Sequence, residues 1–123
     1  MHELSIAAAI AQIVDRHAAG RRVGRVEVLV GHLRQVVPDA LAFSWGLVTE
    51  GTTADGAELV VVPVPAEGRC RDCGELGALG DFPLRCGRCG GLDVEVLRGE
   101  ELLVEALELD DQLVTTGGTE HGH

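Results

Sequence analysis

The chain of 123 residues is poor in aromatic side chains: Phe43, Trp45 and Phe82 are the only three. With 46% of its residues hydrophobic, it has material for a core, but that core must be built from Val, Leu, Ile and Ala. Long apolar runs are missing too. No stretch approaches the ~18 residues of a membrane-spanning helix. The opening Met1-His2-Glu3 sets no basic segment ahead of the apolar residues, so no secretory signal is expected. The expected compartment is the cytoplasm, where thiols stay reduced. Serine is confined to Ser5 and Ser44, neither in an elbow motif, and no cysteine stands outside two pairs. With no phosphate-binding glycine loop either, no catalytic set can be assembled, and an enzyme is not expected.

Positive charge is also scarce. The formal net charge is −10. Residues 1–66 carry five Arg against seven acids, residues 67–98 five against six, and residues 99–123 none against seven. Nucleic-acid binders show a basic footprint. Its absence argues against nucleic acid as a partner.

What the chain does have is four cysteines in two Cys-x-x-Cys pairs, Cys70/Cys73 and Cys86/Cys89, twelve residues apart. Two disulfides or a redox pair are the alternatives. Paired spacing in a chain expected to stay reduced favours four thiolates on one Zn(II), closed and structural. Gly74 follows the first pair and Gly90-Gly91 the second, which suits tight knuckles with a residue at positive φ.

Around this module the periodicity alternates between helix and strand. Leu4 to about Ala19 reads as a helix, with Ile6, Ile10, Ile13, Val14 and His17 on one side and Gly20 as the stop. Arg25–Val30 alternates as a strand burying Val26, Val28 and Val30. A loop from His32 to Val37 leads to Pro38-Asp39, a helix start, and a second helix runs to about Glu50. Leu41, Trp45 and Val48 form its stripe, widened by Phe43 and Leu47. Glu58–Val64 reads as a central or well-covered strand and Leu102–Leu109 as a third. Leu92, Val94 and Val96 alternate after the cysteines, while Phe82 and Leu84 are expected to cover the metal. The expected fold is α+β: two helices packed on a small sheet of about three strands, carrying an inserted zinc-ribbon-like module. Its expected divisions are 1–66 with 97–114 as the core, 67–96 as the module on flexible links, and 115–123 as a disordered tail.

The second constellation is the N-terminus. The Met1 amine, the His2 backbone nitrogen and the His2 imidazole can close two adjacent chelate rings, and the Glu3 amide or carboxylate can supply a fourth donor. Such nitrogen-rich sets favour Ni(II) or Cu(II). Taken alone the signal is weak, because most N-terminal histidines are simply solvated.

A chain that opens Met1-His2-Glu3-Leu4-Ser5, continues in an amphipathic helix, carries Cys70/Cys73 and Cys86/Cys89, and then reads Gly99-Glu100-Glu101-Leu102 resembles the HypA/HybF family. The resemblance runs from residue 1 to about 110. It implies a nickel metallochaperone of hydrogenase maturation that holds transported Ni(II) at Met1, His2 and Glu3, with structural Zn(II) on the four cysteines. It implies Asp39 as a weaker candidate beside the nickel. The partners it implies are a nickel-handling maturation GTPase and the precursor of the [NiFe] hydrogenase large subunit, and some members also serve urease maturation. No membrane partner is expected, and either a monomer or a homodimer fits.

The other histidines have plainer readings. His17 is expected at the edge of the core and His32 on the surface, while His121 and His123 sit in the tail as candidate auxiliary nickel ligands. Trp45 is expected in the core. The competing functions are a zinc-ribbon adaptor and a nucleic-acid or transcription accessory, each with only a structural zinc. Loss of nickel binding on changing His2 separates both from metal delivery.

Overall fold

The computed structural model describes residues 2–80, 83–110 and 112–115. Two helices and eight strands follow in the order α1 (His2–Ala18), β1 (Val23–Gly31), a short 3-10 helix (His32–Arg34), α2 (Pro38–Val48), β2 (Glu58–Val64), β3 (Glu67–Cys70), β4 (Leu76–Gly80), β5 (Arg85–Cys86), β6 (Val94–Arg98), β7 (Leu102–Leu109) and β8 (Gln112–Thr115). The strands form two four-stranded sheets, ordered β2-β1-β7-β8 and β5-β4-β3-β6. The expectation of about three strands is therefore corrected to four plus four. The chain divides into two compact units: residues 1–29, 36–62 and 102–123 form one, and residues 30–35 with 63–101 form the other.

In the first unit α1 packs on α2 and on β7. The helical spacing of Ile6, Ile10 and Val14 puts them on one face, and all three are buried with Ala7 and Ala18. The helix ends where Ala19 and Gly20 take positive φ, 50° and 87°. Strand β1 buries Val23, Val26 and Val28 against this layer, and β7 adds Val104, Ala106, Leu107 and Leu109. The scarce aromatics are replaced by interlocking aliphatic side chains, as expected. Trp45 is the one large ring in this core, 4% exposed, and its Nε1–H donates to the Ala57 carbonyl at 3.0 Å, so burial leaves no polar atom unpaired.

Three expectations are overturned. Phe43 and Leu47 do not widen the buried stripe of α2; they are 70% and 53% exposed, because α2 buries only Leu41, Ser44 and Trp45. Strand β2 is an edge of its sheet, not a central strand. Pro63 lies within it, and a residue with no backbone N–H is tolerated at an edge. Thr115, placed at the start of the tail, instead ends β8, which pairs antiparallel with β7 in the register Ala106↔Thr115 through Leu109↔Gln112. The rest of the expected tail lies outside the described residues.

In the second unit β3 is the spine, antiparallel to β4 on one side and to β6 on the other. Gly68 is required on it: a Cβ there would lie 2.1 Å from the Glu95 carbonyl oxygen. Gly31 is as tightly placed, since its Cβ would meet the Gly99 carbonyl oxygen at 2.0 Å while its amide donates to the Glu101 carbonyl at 2.7 Å.

The exposure pattern of α2 separates packing from mere apolarity. Leu41→Ala, which empties a fully buried site, is expected to lower unfolding stability by about 2–5 kcal/mol in denaturant titration. Phe43→Ala, at a solvent-facing site, is expected to change it by less than about 1 kcal/mol.

Candidate metal centre

The cysteines reach one point from two similar hairpin ends. Cys70 closes β3 and Cys86 closes β5, both buried, while Cys73 and Cys89 sit in the turns that follow, both exposed. In each knuckle the amide three residues on points at the first sulfur: Cys73 N–H to Cys70 Sγ at 3.4 Å, and Cys89 N–H to Cys86 Sγ at 3.4 Å. Gly74 and Gly90 then take φ of 78° and 76°, and their amides donate to the Cys70 and Cys86 carbonyls at 2.8 and 3.0 Å. Arg88 adds an amide to Cys86 Sγ and Gly91 one to Cys89 Sγ, each at 3.3 Å.

Cys70 Sγ lies 3.7 Å from Cys89 Sγ, and Cys73 Sγ 3.7 Å from Cys86 Sγ. All four sulfurs fall within 4.8 Å of one another. These separations are far too long for disulfides. They match the edge of a tetrahedron with metal–sulfur bonds of about 2.3 Å, roughly 3.8 Å. The donor set fits a closed structural metal site of the zinc type. Among the described residues no other such gathering of His, Cys, Asp and Glu occurs.

Electrostatics point the same way. The amides of Cys89 and Arg88 pull the Cys86 thiol down to about 6. The Glu75 amide pulls at the Cys73 thiol, yet desolvation and the sulfurs of Cys86, Cys89 and Cys70 outweigh it and push that thiol up to about 12. The Cys86 thiol thus ionises readily, while the Cys73 and Cys89 thiols resist. A cation among the sulfurs favours the thiolate forms.

The N-terminal candidates lie in the other unit. His2 opens α1, so this helix starts two residues earlier than Leu4, and its side chain is exposed. Met1 lies outside the described residues. Glu3 is buried at 5% exposure. Its carboxylate accepts the Val37 amide at 2.9 Å and lies 3.5 Å from His2 Nε2. The Val37 amide leads the groups that hold this carboxyl down from 4.5 to about 2. The side chain offered as a fourth nickel donor is thus already engaged as a latch on the N-cap of α2. Val37 carried no signal in the sequence because its contribution is a backbone N–H. Asp39 is exposed in the first turn of α2, two residues beyond that latch. His17 is half-buried and His32 exposed. Leu84 is half-buried beside the cysteines, and Phe82 lies outside the described residues.

A tetrathiolate module joined to a helical unit that begins on an exposed histidine defines a small metal-binding protein, and comparison with known proteins narrows the class. Residues 1–109 match the family model for hydrogenase/urease nickel incorporation, metallochaperone, hypA. The hydrogenase maturation factor HypA of Geotalea uraniireducens is 46% identical over 110 residues, 89% of this chain and all of the relative. That of Nostoc punctiforme is 38% identical over 114 residues, 93% of this chain and all of the relative. The solution structure of the Ni metallochaperone HypA from Helicobacter pylori shares the fold, with a TM-score of 0.65 at 23% identity, covering 89% of this chain and 97% of that one.

The chain belongs to the HypA family. Its role is that of a nickel metallochaperone and not of an enzyme. No helix among the described residues is long and apolar enough to cross a membrane.

Two outcomes follow from the geometry. The purified chain is expected to hold about one zinc; stripping the metal with a chelator should sharply raise amide exchange across residues 63–101, because metal binding is coupled to folding in such modules. The Glu3 carboxyl should titrate in NMR with a midpoint near 2. Its folded-state value is depressed, so its contribution to stability is complete above about 4.5 and is lost as pH falls toward about 2.

Proposed function

We propose that the protein carries Ni(II) at its amino terminus and hands it to the precursor of the [NiFe] hydrogenase large subunit, working with a nickel-handling maturation GTPase, while Zn(II) on Cys70, Cys73, Cys86 and Cys89 is structural. The family match from residue 1 carries this reading. Urease maturation proteins are further candidate partners. The cytoplasm is the compartment where such partners and reduced thiols coexist. In this reading the core that carries nickel is 1–66 with 97–114, and 67–96 is the zinc module.

The nickel donors are the Met1 amine, the His2 backbone nitrogen and the His2 imidazole, with the Glu3 amide completing a planar set. Three features support it. The first N–H groups of an α-helix have no intrahelical acceptor, so a His2 amide at the start of α1 gives up its proton without breaking the helix. A chelate ring through the His2 backbone nitrogen uses Nδ1, and Nε2 is the atom that lies 3.5 Å from the Glu3 carboxylate. A carboxylate behind a ligating imidazole fixes the ring and raises its basicity. Glu3 then orients His2 through its side chain while latching α2 through Val37. Asp39, in the first turn of α2, adds negative charge at the same end of that helix.

Release is as necessary as binding. The positive end of the α1 dipole opposes a cation by about 0.3–1 kcal/mol. An exposed His2 leaves open positions for an incoming ligand, and protonation of amide and imidazole ejects the metal in acid.

Nickel titration followed by calorimetry and metal analysis tests this. Wild type should bind one tight Ni(II) that His2→Ala loses while keeping its zinc. Glu3→Gln should weaken nickel roughly tenfold, the range of a lost supporting carboxylate. Equal nickel affinity in wild type and His2→Ala would remove the N-terminal site.

A further inference from the structure

Serine occurs twice in the chain, at Ser5 and Ser44, and Ser5 stands in the first turn of α1 beside the residues of the nickel reading. Its side chain is exposed. Its Oγ–H donates to the His2 carbonyl oxygen at 2.9 Å. A hydroxyl returned to a carbonyl one turn back is ordinary in helices, so the bond alone marks nothing. Which carbonyl it reaches is what matters. That oxygen belongs to the peptide group whose nitrogen is the Glu3 amide, the donor that completes the planar set. An alanine at position 5 would suit the helix better.

Metal binding changes the charge on this peptide group. When Ni(II) takes the Glu3 nitrogen, the N–H bond breaks and its proton passes to solvent. The electron pair left behind forms the Ni–N bond. Amide resonance spreads the negative charge between that nitrogen and the His2 oxygen. The place of His2 in α1 makes this oxygen the acceptor of the Ile6 amide, and Ser5 brings a second donor to it. Donors fixed where charge develops stabilise it as those of an oxyanion hole do. A hydrogen bond to an ionised acceptor is roughly twice as strong as a neutral one, so the Ser5 bond favours the metal-bound peptide over the free one. Because Ser5 meets the oxygen, it leaves the nitrogen open to the metal.

We infer that Ser5 is a positioning residue that selects the metal at the N-terminus: its hydroxyl, held on the His2 carbonyl, stabilises the metal-bound Glu3 amide and so favours metals that bind through it. This rests on the N-terminal nickel reading. Ni(II) in a planar nitrogen set displaces amide protons near neutral pH, whereas Zn(II) is satisfied tetrahedrally by imidazole, thiolate or carboxylate. Ser5 thus raises the preference of this end of the chain for nickel over zinc without touching either ion.

The test uses the full chain with its zinc module loaded, as wild type, Ser5→Ala, Ser5→Thr and His2→Ala. The dissociation constant of Ni(II) is measured by chelator competition, and that of further Zn(II) at the N-terminus by its displacement of Ni(II). Ser5→Ala is expected to raise the nickel constant roughly three- to tenfold, the lower part of the range for a bond to a charged group because this one is exposed, and to leave the zinc constant unchanged. Ser5→Thr, which keeps the hydroxyl, should bind nickel as wild type does. An unchanged nickel constant in Ser5→Ala, with His2→Ala still losing nickel, would overturn the inference and leave the N-terminal site standing. Equal weakening of nickel and zinc in Ser5→Ala would also overturn it, by making Ser5 a support of the helix alone. Nickel binding by His2→Ala equal to wild type would remove the N-terminal reading, and the role of Ser5 with it.

Discussion

Four sulfurs at 3.7 to 4.8 Å from one another are the constraint on which the second unit depends. Its strands are short, two to five residues each, and they offer little apolar surface: Leu76, Leu92 and Leu97 are all more than half exposed. Exposed ion pairs such as Arg71–Asp93 and Arg88–Glu75 add little, because solvent screens them. What remains is the metal. Desolvation and the neighbouring sulfurs hold the Cys73 thiol up against the pull of the Glu75 amide, and a cation among the four sulfurs would close β3 and β5 onto one point. Small domains lacking a sufficient core commonly rely on such a staple.

The helical unit solves the opposite problem. It has an aliphatic core of its own, and in the proposed reading its first residues carry the nickel chemistry. Glu3 shows how the two are joined. A buried carboxylate is costly unless fully hydrogen-bonded, and the Val37 amide meets that need. The same contact sets the start of α1 against the start of α2. Glu3, beside His2, is thus held by packing, so in the proposed nickel reading this carboxylate would already be in place behind the His2 ring. Preorganisation of this kind lowers the entropy lost on binding.

Much of this was legible in the residues. The spacing of Ile6, Ile10 and Val14, the alternation of Val26, Val28 and Val30, and Pro38 at a helix start all report local geometry, and the structure has α1, β1 and α2 where they point. The Cys-x-x-Cys pairs pointed to the cysteine cluster because each spacing already sets two sulfurs in one knuckle, though their meeting depends on β3 and β5 sharing a sheet. What stayed hidden depends on long-range pairing. The edge position of β2, the hairpin of β7 and β8 and the second sheet follow from partners distant in sequence. Phe43 and Leu47 look like core in any helical count, and only the packing of α2 through Leu41 and Trp45 leaves them outside. The sulfur-directed amides of Arg88 and Gly91, like that of Val37, are backbone groups that no side-chain pattern announces.

The contrast between the two candidate sites bears on why a metal carrier would keep both. A tetrathiolate offers Zn(II) a complete shell with amides turned to its sulfurs, so exchange must break several strong bonds at once. It suits a metal that stays. The proposed chelate at the start of α1 would offer nitrogen donors, an exposed His2 and an unfavourable helix dipole. It would suit a metal that leaves, because its donors stay open to solvent and to a partner. Softness separates the occupants further: thiolates hold Zn(II) in tetrahedral geometry, while deprotonated amides and imidazole in a plane favour Ni(II). Distributing the metals by geometry and ligand type avoids relying on raw affinity, on which Zn(II) and Ni(II) are poorly resolved.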